Sequence, residues 1–231
     1  MNSVGPLPWP WRVGHHVTVI GETYGGKSTL VGEALLPHRR FLLVNRTKMD
    51  PVRRQVQYPV NVVTRTHKTL LDPRWNRIEL RTAGKPMDVQ ARENYQALSI
   101  VWRQGGWTVF DDEEWYLEEK LGLKPAIEML LTQGGGKGIT MVMAAQRPAQ
   151  ISRFVISQSA HVICFGVEGR EAKTIADATS PRMGDAVEQL EEYHFAWYYR
   201  PKRGVFVGTL NLATGQIEGE MVARDSGGNA A

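Results

Sequence analysis

The chain has 231 residues, of which 42% are hydrophobic, and this is enough for one large α/β domain with a sizeable core. Its single cysteine, Cys164, excludes a disulfide framework within the chain and lies in an apolar run, so we expect a buried strand residue. No apolar stretch approaches the ~20 residues that cross a bilayer, and no basic start precedes an apolar run. We therefore expect a soluble, intracellular protein.

Positive charge is concentrated in one part of the chain. The formal net charge is +4, but residues 39–85 hold twelve Lys or Arg and three Asp or Glu, a local net charge of +9. Such asymmetry indicates a polyanionic partner, of which a nucleic-acid backbone is the obvious example. A solvated basic face without a ligand is the alternative, and charge alone does not decide between the two.

In chain order, apolar runs alternate with amphipathic segments. A Pro- and Trp-rich extended arm (1–12) precedes the predicted domain (13–222), and a disordered tail (223–231) follows it. We predict strands at 17–20, 41–44, 60–63, 77–80, 107–110, 139–145, 161–165, 194–199 and 204–209. We predict helices at 27–36, 87–104, 124–133, 170–178 and 181–191, and a helix or a turn at 153–159. This alternation favours a mostly parallel sheet sandwiched by helices.

The first predicted strand runs directly into a phosphate-binding motif. Residues 21–28 read Gly-Glu-Thr-Tyr-Gly-Gly-Lys-Ser, which matches G-x-x-x-x-G-K-[ST]. We expect main-chain N–H groups to surround a polyphosphate, Lys27 to neutralise the β- and γ-phosphates, and Ser28 to hold Mg²⁺. A Gly-rich turn with a chance lysine is disfavoured, because strand, loop and helix follow in the required order. The expected nucleotide-binding residues are Gly21, Glu22, Thr23, Tyr24, Gly25, Gly26, Lys27, Ser28 and Thr29.

Four acidic residues follow the apolar strand at 107–110, as in a Walker B motif. Such a strand delivers a carboxylate to the sheet edge where ligands bind. We expect Asp112 to bind the metal and Glu113 to activate water, with Asp111 at the last strand position. In the alternative register, Asp111 binds the metal and Asp112 is the base. A purely structural acidic helix start is the other interpretation.

Gln146 follows the next long strand, where a polar side chain can reach the γ-phosphate or its attacking water. We interpret it as a sensor residue. A strand-end turn stabilised by Pro148 is common enough that this motif counts only together with the other two.

Together these motifs resemble the FtsK–HerA superfamily of ring-forming DNA-pumping ATPases, of RecA/ASCE-type P-loop NTPase fold. The resemblance rests on residues 21–28, on Asp-Glu-Glu-Trp at 112–115 and on Ala-Gln-Arg-Pro at 145–148, and it extends over about residues 13–180. The small size resembles the compact genome-packaging ATPases of membrane-containing icosahedral, tectivirus-like viruses.

The resemblance implies an arginine finger from a neighbouring subunit, for which Arg153 and Arg170 are the candidates and Arg147 a weaker one. Ordinary helix-end ion pairs are the alternative for each. Two positions depart from the family pattern. Lys137, in the predicted flexible loop 134–138, stands where many members carry Gly-Arg, so either it takes over a phosphate contact, or it takes over a DNA contact, or the contact is lost. Lys48 stands near an expected Asp-x-Lys and would keep the role of that lysine.

The resemblance thus implies an ATP- and Mg²⁺-dependent double-stranded DNA translocase that packages a viral genome into a preformed capsid. A homo-oligomeric ring, a hexamer in our prediction, would contact DNA through residues 39–85 and 134–138 and dock on a capsid vertex or portal protein. The protein would lie in the host cytoplasm or the virion. The alternatives are a plasmid-transfer or cellular DNA pump, a P-loop nucleotide or small-molecule kinase, and a non-translocating assembly ATPase.

Overall fold

Ten strands form a single sheet in this computed structural model, which describes residues 7–22, 25–47, 61–65, 75–111, 113, 115–167 and 169–222. The predictions for Thr23, Tyr24, Lys48, Asp112, Glu114 and the tail 223–231 lie outside the described residues. The strands are β1 (Val17–Ile20), β2 (Leu42–Arg46), β3 (Asn61–Val63), β4 (Arg77–Arg81), β5 (Thr108–Asp111), β6 (Thr140–Ala145), β7 (His161–Phe165), β8 (His194–Tyr199), β9 (Gly204–Asn211) and β10 (Gln216–Val222).

Helices connect most of these strands. The α-helices are α1 (Lys27–Thr29), α2 (Met87–Gln104), α3 (Lys124–Gln133), α4 (Arg153–Gln158), α5 (Arg170–Ala178) and α6 (Pro181–Glu188). α1 continues directly into π-helical turns at Leu30–Leu35 and a 3₁₀ turn at Leu36–His38. A second π-helix spans Tyr116–Lys120, and further 3₁₀ turns lie at Gly134–Lys137, Pro148–Gln150 and Arg200–Lys202.

The spatial order of the strands is β10-β9-β8-β7-β1-β6-β5-β2-β4-β3. The seven strands from β7 to β3 are parallel, and β8, β9 and β10 extend the sheet in antiparallel fashion. This confirms the predicted α/β class with a mostly parallel sheet between helices. The helices described between β4 and β5, β5 and β6, and β6 and β7 explain part of this order, because parallel neighbours require a connection that returns over a sheet face.

Each sheet face carries its own apolar core, which is why the central strands read as continuous apolar runs. Val17 and Val19 of β1 pack with the π-helical turns at Leu30–Leu35, whereas Ile20 packs on the opposite face with residues of α2 to α6. All three side chains are fully buried. The sheet is therefore fixed from both sides, and its carboxyl edge is a stable platform for loops.

Two regions differ from the sequence prediction. The strand β10 was not predicted, because most of its side chains are exposed and it contains Glu218, Gly219 and Glu220 instead of an apolar alternation. The prediction of a flexible loop at 134–138 is wrong. These residues form a 3₁₀ turn in which Ile139 N–H donates to Gly134 O (2.9 Å), and the carbonyl of Lys137 accepts the N–H of Gly106 (2.9 Å).

The described part of the predicted arm packs against the antiparallel end of the sheet. Trp9 is only 5% exposed, and its ring stacks on Tyr199 of β8 with centroids 5.4 Å apart. A Cβ atom placed on Gly204 of β9 would lie 2.7 Å from the Trp9 ring, so glycine is needed for this close approach. Trp11 is covered by the guanidinium of Arg39 at 3.8 Å.

Two histidines are buried in the neutral form at the amino ends of the strands. His16 accepts the N–H of Met141 at Nδ1 (3.0 Å), so its Nε2 donates to the carbonyl of Leu131 (3.0 Å). His161 accepts from Trp197 Nε1 at its Nδ1 (3.1 Å). Burial lowers the pKa of His16 to about 4 and that of His161 to about 3.

Candidate nucleotide-binding and hydrolytic site

The phosphate-binding motif lies in the loop between β1 and α1, at the carboxyl edge of the sheet. Gly21 N–H donates to Ala145 O at the end of β6 (3.2 Å), which joins the start of the loop to the neighbouring strand. Gly26 has φ 99, in the left-handed region, and its carbonyl accepts the N–H of Leu30 (2.9 Å). The loop therefore reverses direction at a glycine and continues at once into helical backbone.

Phe165, the last residue of β7, forms the floor beneath this loop. A Cβ atom on Gly21 would lie 2.7 Å from the Cβ of Phe165, and one on Gly26 would lie 3.2 Å from its ring. Phe165 itself is 4% exposed and packs against Phe195. The neighbouring Cys164 is fully buried, as predicted, and burial raises the pKa of its thiol. Two motif glycines are thus required by packing as well as by the backbone conformation.

The Lys27 ammonium group lies at the main chain of the loop. Its Nζ donates to the carbonyls of Gly21 and Glu22, the latter at 2.6 Å. Ser28 follows at the start of α1 with an exposed side chain. Lys27 and Ser28 are thus placed at the loop where the motif requires a cation and a hydroxyl group.

Asp111 is the last residue of β5 and is fully buried. Its Oδ1 accepts the N–H of Glu113 at 2.8 Å, so the two residues form a tight turn at the strand end. The Glu113 side chain is half-buried. Since Asp112 lies outside the described residues, the choice between Asp111 and Asp112 as metal ligand, and between Asp112 and Glu113 as base, stays a prediction.

Gln146 lies between these two groups. It follows β6 directly, and β6 pairs with β1 on one side and with β5 on the other. Neighbouring strands are about 4.8 Å apart, so β1 and β5 lie about 10 Å apart with Gln146 at the strand between them. The fold therefore brings the phosphate loop, the acidic turn and the amide side chain to one edge of three adjacent strands.

A cleft of about 590 Å³ opens beside the phosphate loop, and we call it the P-loop cleft. Its lining comprises the loop, the ends of β6 and β7, and the segment that joins α6 to β8. With Glu171 of α5 in addition, the lining residues are Glu22, Gly25, Arg147, Phe165, Gly166, Val167, Glu171, Val187, Glu188, Leu190, Glu191, Glu192, Tyr193 and His194. Sequence reasoning missed the segment 187–194, because no local motif marks a wall made by distant residues.

The arginine candidates lie at three different places. Arg147 is exposed and lines the P-loop cleft of its own chain. Arg153 is the first residue of α4 and Arg170 the first residue of α5, and both are exposed. Exposure leaves both side chains accessible to another chain, but the role of each as a finger stays a prediction.

Lys137 does not lie at this site. The 3₁₀ turn that contains it precedes β6, whereas the phosphate loop follows β1, so the two are at opposite edges of the sheet. Six strand residues span about 20 Å. Lys137 Nζ instead lies 4.8 Å from the ring centroid of Trp102. Of the three expectations for Lys137, a contact with the nucleotide phosphates of its own chain is therefore excluded, whereas a DNA contact and the loss of the contact stay predictions.

Within the basic segment 39–85, residues 48–60 and 66–74 lie outside the described residues. The described part of the segment contains residues that stabilise the fold and residues that line a groove. Arg39 is buried and donates to the carbonyls of Trp11 and Arg12 (3.2 Å each), and burial lowers its pKa to about 10. Arg77 donates to Arg39 O at 2.5 Å, and Arg81 pairs with Glu79 at 2.7 Å.

A second cavity, of about 690 Å³, lies where β3 and β4 end and α2 begins. We call it the basic groove, because three of its residues are Arg65, Lys85 and Arg92. Thr64, Val89, Glu93 and Gln96 complete the lining. The groove follows the carboxyl ends of β3 and β4, so it shares a sheet edge with the phosphate loop.

Among the helices that the structure describes, none combines the length and apolar content needed to cross a bilayer. Within the same residues, no group of three His, Cys, Asp or Glu side chains could hold a metal ion. Mg²⁺ is commonly held by one or two protein oxygens together with substrate phosphates, so a site built on Ser28 and one carboxylate is of the usual kind.

The fold is that of an ASCE-type P-loop NTPase, because the strand β6 is inserted between the phosphate-loop strand and the strand that carries the acidic turn. No protein-family model matches the sequence. Over 72 residues the chain is 38% identical to the DNA packaging ATPase P9 of Enterobacteria phage PRD1, an alignment that covers 31% of this chain and 30% of the phage protein.

Solved structures with this fold include the genome packaging NTPase B204 of Sulfolobus turreted icosahedral virus 2 in complex with AMPPCP. It has a TM-score of 0.69 at 17% identity, over 84% of this chain and 96% of that chain. VirB4 of Thermoanaerobacter pseudethanolicus has a TM-score of 0.59 at 8% identity, over 80% and 86% of the two chains. The resemblance to compact viral packaging ATPases is thus confirmed for the fold and, over about a third of the chain, for the sequence.

Proposed function

We propose that this protein hydrolyses ATP to move double-stranded DNA into a preformed viral capsid. The observation that carries the proposal is the arrangement of Lys27, Asp111 and Gln146 at the carboxyl ends of adjacent strands β1, β5 and β6. This arrangement combines a phosphate cradle with groups suited to activate water, which a hydrolase needs and a phosphate carrier does not.

The names of the similar proteins support packaging over the other functions. B204 is called a genome packaging NTPase and P9 a DNA packaging ATPase. A plasmid-transfer or cellular DNA pump is less favoured, because both of these names specify packaging. A small-molecule kinase is less favoured, because the acidic turn and Gln146 are suited to activate water.

In the proposed reaction, Lys27 exchanges its main-chain carbonyl partners for phosphate oxygens. Glu113, at the turn after β5, accepts a proton from the attacking water, and Gln146 orients that water or the γ-phosphate. Ser28 and the carboxylate of Asp112 or Asp111 are the oxygen donors that would hold Mg²⁺. When bound, the metal ion supplies positive charge that neutralises the phosphate oxygens.

Arg153 or Arg170 supplies a further positive charge in trans, which places the active sites between subunits of a homo-oligomeric ring. A hexamer is the stoichiometry we propose, with a capsid vertex or portal protein as the docking partner and the host cytoplasm or the virion as the location. The exposure of both arginines supports a role at a contact between subunits.

The basic groove is the proposed DNA contact. Arg65, Lys85 and Arg92 converge there, and contacts from such side chains to phosphates are independent of sequence. Lys85 Nζ donates to the carbonyl of Thr64 beside the groove, and in the proposal it exchanges this partner for a DNA phosphate. Arg39, Arg77 and Arg81 are engaged within the fold and do not line the groove, so we exclude them from the proposed DNA surface.

The test measures phosphate release from ATP with and without double-stranded DNA, together with the mass of the assembly. We expect DNA to stimulate hydrolysis, and Lys27→Ala and Glu113→Gln to lower it by about a hundredfold or more. Glu119→Gln, an exposed acid in the π-helix that follows Glu113, is the matched control and keeps wild-type activity. Asp112 has a role in both registers, so the comparison of Glu113→Gln with Asp111→Asn decides between them: a loss confined to Glu113→Gln indicates Glu113 as the base, and a loss confined to Asp111→Asn indicates Asp111 as the metal ligand.

Two results would contradict the proposal. One is an assembled oligomer that neither binds DNA at low salt nor responds to it. The other is phosphate transfer that requires an added acceptor, which would indicate a kinase.

A further inference from the structure

Tyr193, between α6 and β8, adopts a backbone conformation that tyrosine rarely takes. Its φ is 63, in the left-handed region. The N–H of His194 donates to Glu191 O at 3.1 Å, so residues 191–194 form a β-turn with Tyr193 as its third residue. A positive φ at this position favours glycine or asparagine. Tyrosine is therefore an unfavourable choice for the turn, and such outliers are enriched where a side chain has a function.

The surrounding structure holds Tyr193 in this conformation. Thr209 Oγ1 on β9 donates to the Tyr193 carbonyl at 3.3 Å. The side chain is 60% exposed and lines the P-loop cleft together with Glu22 and Gly25 of the phosphate loop. An exposed tyrosine therefore lies in the wall of the cleft beside the phosphate loop.

The rest of the P-loop cleft is suited to a flat ring at one end and phosphates at the other. Val187 and Leu190 contribute apolar surface on the same wall as Tyr193, and Phe165 forms the floor. The wall also carries acidic side chains, Glu188, Glu191 and Glu192 among them. Carboxylates repel a triphosphate, so the phosphates are favoured at the Lys27 end and the uncharged part of the nucleotide beside the wall.

We propose that Tyr193 stacks on the nucleobase of the bound nucleoside triphosphate, so that the segment 187–194 forms a base subsite. This inference rests on the proposed function for the identity of the ligand. Stacking on an aromatic side chain is available to every base, because each has a π-face. Tyr193 would therefore contribute affinity for the base without contacting the phosphates.

Calorimetric titration of the full chain with a non-hydrolysable ATP analogue and with inorganic tripolyphosphate separates the two parts of the nucleotide. Tyr193→Ala removes the ring, and Tyr193→Asn also removes it but keeps a residue that tolerates the left-handed region. Tyr193→Phe keeps the ring. Tyr95→Ala, at a 56% exposed tyrosine of α2, is the matched control.

We expect Tyr193→Ala and Tyr193→Asn to weaken analogue binding by about tenfold or more, the usual size of a lost base stack, and to leave tripolyphosphate binding within about twofold. Tyr193→Phe and Tyr95→Ala bind both probes like the wild type. Unchanged analogue binding in both ring-deleted variants would overturn the proposal, as would an equal loss for both probes. A change in assembly mass alone would assign the wall to a subunit contact instead.

The ATP analogue binds without being hydrolysed. The base subsite is therefore tested even if DNA-dependent hydrolysis, the readout of the proposed function, is absent.

Discussion

Removing the charge of the basic groove should reduce the salt dependence of DNA binding by a calculable amount. The perturbation is the triple variant Arg65→Gln, Lys85→Gln and Arg92→Gln, which replaces all three basic side chains of this cavity. Each phosphate contact releases condensed counterions from DNA, so the affinity falls with salt in proportion to the number of contacts. The groove variant should therefore bind DNA more weakly at low salt and lose less affinity as salt increases.

The magnitude follows from the three side chains. One phosphate contact changes the slope of log affinity against log salt by about 0.9, so three contacts change it by about 2.7. Between 50 and 200 mM salt, the DNA affinity of the wild type should therefore fall about 40-fold further than that of the groove variant. This is well above the error of a binding titration.

The assay is fluorescence anisotropy with labelled duplex DNA of one fixed length, titrated at four or more salt concentrations. The control variant is Lys124→Gln, Lys173→Gln and Lys202→Gln, which removes the same charge from exposed positions outside the groove. It should keep the wild-type slope. An unchanged slope in the groove variant, or an equal change in the control, would refute the assignment of the groove to DNA.

Two further predictions concern folding and are checked by urea unfolding. Gly204→Ala should lower the free energy of unfolding by about 1–3 kcal/mol, because the added Cβ overlaps the Trp9 ring. In a Trp9→Ala background the same substitution should have almost no effect. The control Gly136→Ala should be neutral, because the space around Gly136 is open. An equal cost in both backgrounds would mean that Trp9 does not fill this space. Acid should destabilise the fold from about pH 6.5 down to 4, because the unfolded chain protonates His16 and His161 while the native chain keeps them neutral. Two results would contradict the buried neutral state of these side chains. One is a free energy of unfolding that stays constant between about pH 6.5 and 4, and the other is a His161→Gln variant that is as sensitive to acid as the wild type.

Much of the fold is predictable because the parallel strands are buried on both faces and read as apolar runs. The bounds of α2, α3, α5 and β7 match the predicted segments residue for residue. The antiparallel strand β10 could not be predicted in this way, because it lies at an edge and its exposed residues lack periodicity. The turn at 134–138 was misjudged because glycine content alone suggested flexibility, whereas main-chain hydrogen bonds order it.

The chemical motifs of the site were predictable because their spacing is local. Gly21 to Ser28, the acidic turn and Gln146 each follow a strand directly, and parallel strands bring such ends to one edge. The floor made by Phe165 and the wall around Tyr193 depend on tertiary contacts between distant segments, which no local spacing encodes. The same holds for Lys137, whose place at the opposite edge follows from the strand order.

In the proposed DNA translocase, the sheet edge that carries both the phosphate loop and the basic groove would act as a lever. The strands β6, β5 and β2 separate β1, which precedes the phosphate loop, from β4 and β3, which border the groove. The distance across the sheet is therefore four strand spacings from β1 to β4 and five from β1 to β3, or about 19–24 Å. Continuous strand pairing makes this span stiff, so a small tilt around the nucleotide becomes a larger displacement at the groove. A tilt of about 9° over ~22 Å moves the groove by about 3.4 Å, the axial rise of one base pair. A rotation of that size is within the range of known subunit motions, so one base pair per tilt is a step that this sheet can deliver without unfolding any element.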